Sequence, residues 1–211
     1  MRTAVFVLAL AVLSAAPQAR ATPDSSQWRR MTLLGVSDVH YFAYVVEKEN
    51  PGSYYDYTVR VVIEKYHTKT NRQISRAVVR ETAYHLPDPE KRTWTHQDKK
   101  HPPLELGAYF VRENIHALFP ENWKRDMGVA YVQGGLYLTR GKKSVLLRKL
   151  GASRLVEDDD TRIAAIFIGE GYAFIVVQQG ELYLDMDYVQ KILPVSLKVY
   201  NKVVNELFDD K

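Results

Sequence analysis

Apolar and polar side chains alternate with a period of two along most of the chain. In Thr58–His67, TVRVVIEKYH, the side chains of Val59, Val61 and Ile63 fall on one face and those of Arg60, Val62 and Glu64 on the other, the alternation of a half-buried strand. The preceding HYFAYVVEK is rich in aromatic and β-branched residues, which suit a pleated surface. Between them, Asn50-Pro51-Gly52-Ser53 supplies turn residues, so a hairpin is predicted. A second turn at His67–Arg72, where Asn71 tolerates a left-handed conformation, leads into QISRAVVRETAYH and completes a three-stranded meander.

The second half reads the same way. RIAAIFI, GYAFIVV and ELYLDM are separated by Gly169-Glu170-Gly171 and Gln178-Gln179-Gly180, which predicts adjacent antiparallel strands on short turns. LYLTRGKKSVLLRKL reads as another hairpin, turning at Arg140-Gly141-Lys142. Two segments depart from the alternation. GAYFVRENIHALFPENW sets Val111, Ile115, Leu118 and Phe119 at helical spacing before Pro120, predicting a helix from about Ala108 to Phe119. PVSLKVYNKVVNELFDDK places Leu197, Tyr200, Val203, Val204 and Leu207 on one stripe after Pro194, with Lys198, Asn201, Lys202 and Asn205 opposite. That predicts a C-terminal helix docked on the sheet. LPDPEKRTWTHQDKKHPP, rich in proline and charge, reads as a long loop.

One word occurs twice. QGGLYLT, Gln133–Thr139, returns as QGELYLD, Gln179–Asp185, with five of seven positions identical and an offset of 46 residues. Phe42-Ala43-Tyr44 and Tyr172-Ala173-Phe174 match as aromatic-Ala-aromatic units, so the repeat reads as a strand, a Gln-Gly turn and a Leu-Tyr-Leu strand. These residues resemble blades of exported TolB-like or WD40-like β-propeller proteins, whose period is roughly 40–45 residues. The resemblance implies a repeated meander unit. Leu86–Trp123 carries no blade pattern, and a chain of this size has room for at most about four blades. The fold class expected is therefore mainly β: antiparallel meanders forming a sandwich or open barrel, propeller-blade-like, with a middle helix and a C-terminal helix. Its parts are a meander at 28–86, a loop and helix at 87–125, a second meander at 128–193 and a helix at 194–208. If the two words are equivalent, Leu136 and Leu138 point away from Tyr137, Leu182 and Leu184 point away from Tyr183, and the leucines are buried.

The N-terminus, MRTAVFVLALAVLSAAPQARA, combines Arg2, an apolar run from Ala4 to Leu13 and the small-x-small triplet Ala19-Arg20-Ala21. This is the form of a secretory signal peptide at 1–21, cleaved after Ala21. The run falls short of the roughly 20 apolar residues that span a bilayer, and no later segment is apolar and long enough to insert, so no integral membrane segment is expected after cleavage. The rest, 22–211, is expected to be a single mainly-β domain. The first 21 residues carry two of the 29 Lys and Arg and none of the 25 Asp and Glu, so cleavage lowers the net charge from +4 to about +2. No nucleic-acid partner follows from so balanced a surface.

Cysteine is absent, so neither a disulfide nor bacterial lipid attachment is available, and stability must come from packing. There is also no Asn-x-Ser/Thr sequon. Together these favour a bacterial periplasmic or secreted protein.

Candidate chemistry is sparse. Trp94, His96, Asp98 and His101 share the long loop, but His-x-Asp with a later His matches no zinc spacing. The acidic run Glu157–Asp160 lacks the alternation and glycine of a calcium loop. No metal and no cofactor are expected. Nucleophile elbows, His-Glu-x-x-His and phosphate-binding glycine loops are all missing, which leans against an enzyme without excluding a triad assembled from distant residues. If there is acid-base chemistry, His96, Asp98 and Asp185 are its candidates, as in a hydrolase or carbohydrate-active protein. The chain holds 14 tyrosines, and Tyr54, Tyr55 and Tyr57 crowd beside a turn. With Trp94 they offer rigid amphipathic contact area. The leading expectation is an exported, non-enzymatic binding protein of the cell envelope, its partner a protein or glycan.

Overall fold

The computed structural model describes residues 28–50, 56–87, 93–121, 126–150, 161–179 and 188–209. An eight-stranded sheet is built from β1 (Trp28–Ser37), β2 (His40–Glu49), β3 (Asp56–His67), β4 (Arg72–His85) and β5 (Thr95–Lys99), followed by β9 (Arg162–Ile168), β10 (Tyr172–Gln179) and β11 (Tyr188–Ser196). A three-stranded sheet holds β6 (Gly128–Val132), β7 (Gly135–Arg140) and β8 (Lys143–Lys149). Two helices, α1 (Leu106–Arg112) and α2 (Leu197–Phe208), complete the described elements. None of the described helices is long and apolar enough to cross a membrane.

The large sheet runs β5-β4-β3-β2-β1-β11-β10-β9. Each half is an antiparallel meander, and the halves join where β1 and β11 pair in parallel at Trp28↔Tyr188 and Arg29↔Val189. Beyond that short contact, side chains tie β11 to β1, to β2 and to the β3–β4 turn. Gln190 Oε1 accepts the Met31 N–H at 3.0 Å, and the Ile192 carbonyl accepts from Tyr41 Oη and Asn71 Nδ2, each at 3.3 Å.

The sheet is strongly curled. Tyr41 of β2 and Phe174 of β10 meet with ring centroids 5.6 Å apart although β1 and β11 lie between their strands. Three strand spacings in a flat sheet would hold them roughly 14 Å apart. The inner face of the curl buries Met31, Leu33, Tyr41, Ala43, Val45, Val62, Phe167, Phe174, Val176 and Ile192 in one cluster. Since β5 and β9 are the two edges and do not pair, the curl does not close into a barrel. A strap from His116 to Glu121 crosses it: His116 bridges Val36 of β1, Pro120 bridges Phe167 of β9, and Leu118 packs on the inner cluster.

The outer face is covered twice. Over β9–β11, the small sheet and α2 bury Leu136, Leu138, Leu147, Ile166, Ile175, Leu193, Tyr200, Val203 and Leu207. Over β2 and β3, Tyr109 of α1 packs edge-on against Phe42, 6.2 Å between centroids, beside Ile63.

The mainly-β architecture, the first meander and both hairpin turns around β7 follow the sequence pattern. Leu136 and Leu138 are fully buried and Tyr137 between them is not. Gln133 and Gly134 form the two-residue loop joining Val132 to its partner Gly135, with φ of 49° and 73°. Positive φ at both central positions is the signature of a type I′ turn. Asn71 has φ of 55°, as its place in the β3–β4 turn requires. The C-terminal helix presents the predicted stripe but starts at Leu197, because Pro194 is a residue of β11.

Four expectations are corrected. The middle helix spans Leu106–Arg112 rather than Ala108–Phe119, because Asn114 turns left-handed (φ 50°) and the Ile115 N–H closes back on Phe110 O at 3.0 Å. Val111 and Phe119, at helical spacing in the sequence, are 80% and 66% exposed. The long loop contains β5, whose residues are all exposed. An edge strand with water on both faces has no apolar alternation to betray it.

The segment 128–193 is not one meander. Its first three strands form the small sheet, and the third partner in the β9–β10 group is β11. Gln179, finally, does not occupy a turn like that of Gln133: it lies in β10, paired with Val189. The rest of the second word, with Leu182, Tyr183, Leu184 and Asp185, lies outside the described residues, as do the proposed signal peptide, Tyr54, Tyr55 and Asp158–Asp160.

Candidate interaction surface

Four of the sequence candidates converge at the β5 edge. Register places Tyr57, Tyr84 and His96 side by side across β3, β4 and β5, on the outer face. Tyr57 and Tyr84 stack at 4.6 Å, Trp94 meets Tyr57 edge-on at 5.1 Å, and His96 lies 6.1 Å from Tyr84. Lys48 Nζ sits 4.8 Å from the centre of the Tyr57 ring. The tyrosine is thereby only 9% exposed. Its ring surface is spent on neighbours, and the group works first as a small aromatic core that fixes β5 to the sheet.

Asp98 shares this face one pair further along. Its Oδ1 accepts from Thr82 Oγ1 at 2.6 Å and faces Arg80 Nη2 at 3.4 Å. The Thr82 hydrogen bond, and then the Arg80 charge, hold its carboxyl below the usual aspartate range. A group so held is an ionised acceptor, the opposite of what a general acid needs at neutral pH. His101 is not part of the cluster. It bonds Glu81 at 3.1 Å on the inner face, so His96, Asp98 and His101 do not converge on one point.

The inner face carries a feature that the sequence pattern hid. Arg29, Glu47, Arg60, Glu81 and Lys99 occupy directly opposed positions across β1, β2, β3, β4 and β5, a row of alternating charge. Arg60 bridges Glu47, Glu49 and Glu81, and Lys99 Nζ donates to Glu81 at 2.7 Å. That hydrogen bond, with the Arg60 and Lys99 charges and His101 outweighing burial, keeps Glu81 well ionised below the ordinary glutamate range. Two rows away Glu64 is fully buried, held by Arg29 and by the Tyr66 hydroxyl, while Arg76 reaches Glu47. Burial, and then the bond to Glu64, push the Tyr66 hydroxyl pKa far up.

The remaining element is the edge of β4. β5 pairs with Glu81–His85 alone. Among the described residues, nothing pairs with the other side of Arg72–Arg80, most of which is exposed. Two bulges interrupt this stretch, skipping Ile74 and Val79 in the register with β3. Each bulge switches the faces, so Arg76 lies inward beside Glu47 and Arg72 and Arg80 lie outward. The result is an edge with arginine on both sides. The signal is present in RQISRAVVR as three arginines four residues apart, but strict alternation, without the bulges, would put all three on one face.

No family model, no curated protein and no solved structure matches this chain.

Proposed function

We propose that the protein is an exported interaction module of the cell envelope that presents the uncovered edge of its large sheet to another macromolecule. The single observation behind this reading is the β4 edge from Arg72 to Arg80. An unpaired strand edge holds backbone donors and acceptors in the geometry a partner strand requires. The aromatic group of Tyr57, Tyr84 and Trp94 anchors the short β5 beside it and so fixes where the open stretch begins. Asp98, which accepts from Thr82, has the role of a hydrogen-bonded clasp between β5 and β4 in this reading rather than of a catalyst. The N-terminal pattern at 1–21 supports delivery to the envelope.

Two measurements test it. The full chain made in a Gram-negative host should yield a periplasmic product beginning at Thr22, and the folded chain, immobilised, should retain an envelope macromolecule that a heat-unfolded control does not. Cytoplasmic retention of the uncleaved chain would remove the export half. Turnover of a hydrolase substrate that disappears on replacing His96 and Asp98 by alanine would replace binding by catalysis.

A further inference from the structure

The β4 edge has a chemistry that selects its occupant. Between the two bulges Ser75, Arg76, Ala77 and Val78 keep regular register with β3, a stretch long enough for a few added backbone hydrogen bonds. Arg72 stands before the first bulge and Arg80 after the second, both outward and exposed. Lys69 lies exposed in the preceding turn, and Lys99 and Lys100 lie exposed where β5 ends. Among the described exposed side chains of β4 and β5, Asp98 is the acid, and its bridge to Arg80 joins two groups that are each more than half exposed, at 3.4 Å. Such a surface pair is worth little and is readily exchanged for another carboxylate. Arg72 has no acidic partner among the described residues.

We propose that this edge receives an extended acidic segment of a partner protein as an added strand, its backbone pairing along Ser75–Val78 and its carboxylates meeting Arg72 and Arg80. The proposal rests on the interaction-module reading above and names its partner class. Like charge works against the obvious competitor. A second copy laid edge to edge would bring Arg72 and Arg80 of the two chains together, so the edge discriminates against itself while favouring an acidic strand.

The test uses the full chain and a fluorescent peptide of alternating glutamate and valine, followed by anisotropy. Saturable binding is expected, weakened at least tenfold between 0.1 M and 1 M salt as screening shortens from about 10 Å to about 3 Å. The lysine-valine peptide should not bind. N-methylation of alternate peptide amides keeps every charge but removes backbone pairing, and should weaken binding at least tenfold. The double variant R72E/R80E, checked for an unchanged far-UV spectrum, should lose binding to the same degree.

Equal affinity for the N-methylated peptide, or for a single-stranded oligonucleotide of matched charge, would reduce the edge to non-specific anion adsorption and overturn the proposal. So would concentration-dependent dimerisation abolished by R72E/R80E, which would make a second copy the occupant. Retention of an envelope partner by R72E/R80E would leave the interaction module standing and remove this edge from it.

Discussion

Leu138 and Tyr137 are neighbours with opposite fates, one fully buried in the core that the small sheet shares with α2 and β9–β11 and the other on the far face. Removing buried methyl groups forfeits transfer energy and leaves a cavity, so Leu138→Ala is expected to cost about 2–5 kcal/mol in urea denaturation, and Tyr137→Phe less. A larger loss for the tyrosine change would mean that its hydroxyl, not the leucine, holds the strand. Glu64 makes the stronger case at this scale. Its side chain is fully buried, Arg29 and Tyr66 hold one of its oxygens, and Oε1 has no hydrogen-bond partner among the described residues. Replacing Arg29 by Met strands a carboxylate away from water, with an expected loss of about 3–5 kcal/mol, whereas the double change Arg29→Met with Glu64→Leu should recover most of it. Double-mutant stabilities decide this. The alternation pattern put Arg60 and Glu64 on one face of β3 correctly. It could not say that this face is the inside of a curl, because the curl depends on strands more than a hundred residues away.

At the scale of elements, turn chemistry was the most legible signal. Gln133-Gly134, Gly141 and Asn71 each adopt the positive φ that their turns demand, and local sterics alone explain it. The strap from His116 to Glu121 was illegible for the converse reason. Its course is fixed by Gly35, where an added Cβ would lie 2.3 Å from the His116 carbonyl oxygen. Gly35→Ala must therefore push the strap from β1 or distort the bulge between Leu33 and Gly35 in the pairing with β2, and is expected to lower stability by about 1–3 kcal/mol and to speed amide exchange at His116, whose N–H bonds Val36 O at 2.8 Å. An unchanged exchange rate at His116 would show the strap to be held from the β9 side alone.

For the whole molecule, ionised carboxylates tie distant elements together: Glu81 joins β3, β4 and β5, Asp98 clasps β5 to β4, and Glu113 links the end of α1 to Lys65 of β3 at 2.7 Å. All three are held below their ordinary ranges, by the Lys99, Thr82 and Lys65 hydrogen bonds respectively. As pH falls the unfolded chain takes up these protons first, so their contribution is whole above the ordinary glutamate value of 4.5 and is lost below it. At the other end burial raises Tyr200 to about 12, so its contribution is whole below pH 10 and drains away as pH rises toward that value. Burial, and then the Lys65 charge, lower His40, so stability also falls as pH drops below the ordinary histidine value of 6.5, and it is expected to be flat from there up to 10. Glu81→Gln should be less stable than the parent at pH 7 by a margin that closes as pH drops below 4.5, and a constant margin would mean that Glu81 acts through shape rather than charge. By itself the sequence determined what depends on neighbours in the chain: strand period, turn conformation and the stripe of α2. Tertiary structure decided the rest. The split of the second half between two sheets, the parallel seam of β1 with β11, the polar edge strand β5 and the charge row from Arg29 to Lys99 all require partners remote in sequence. Strand pairing is a contact between backbones, which are alike at every residue, so side-chain order can specify that a strand forms while leaving open which strand lies beside it.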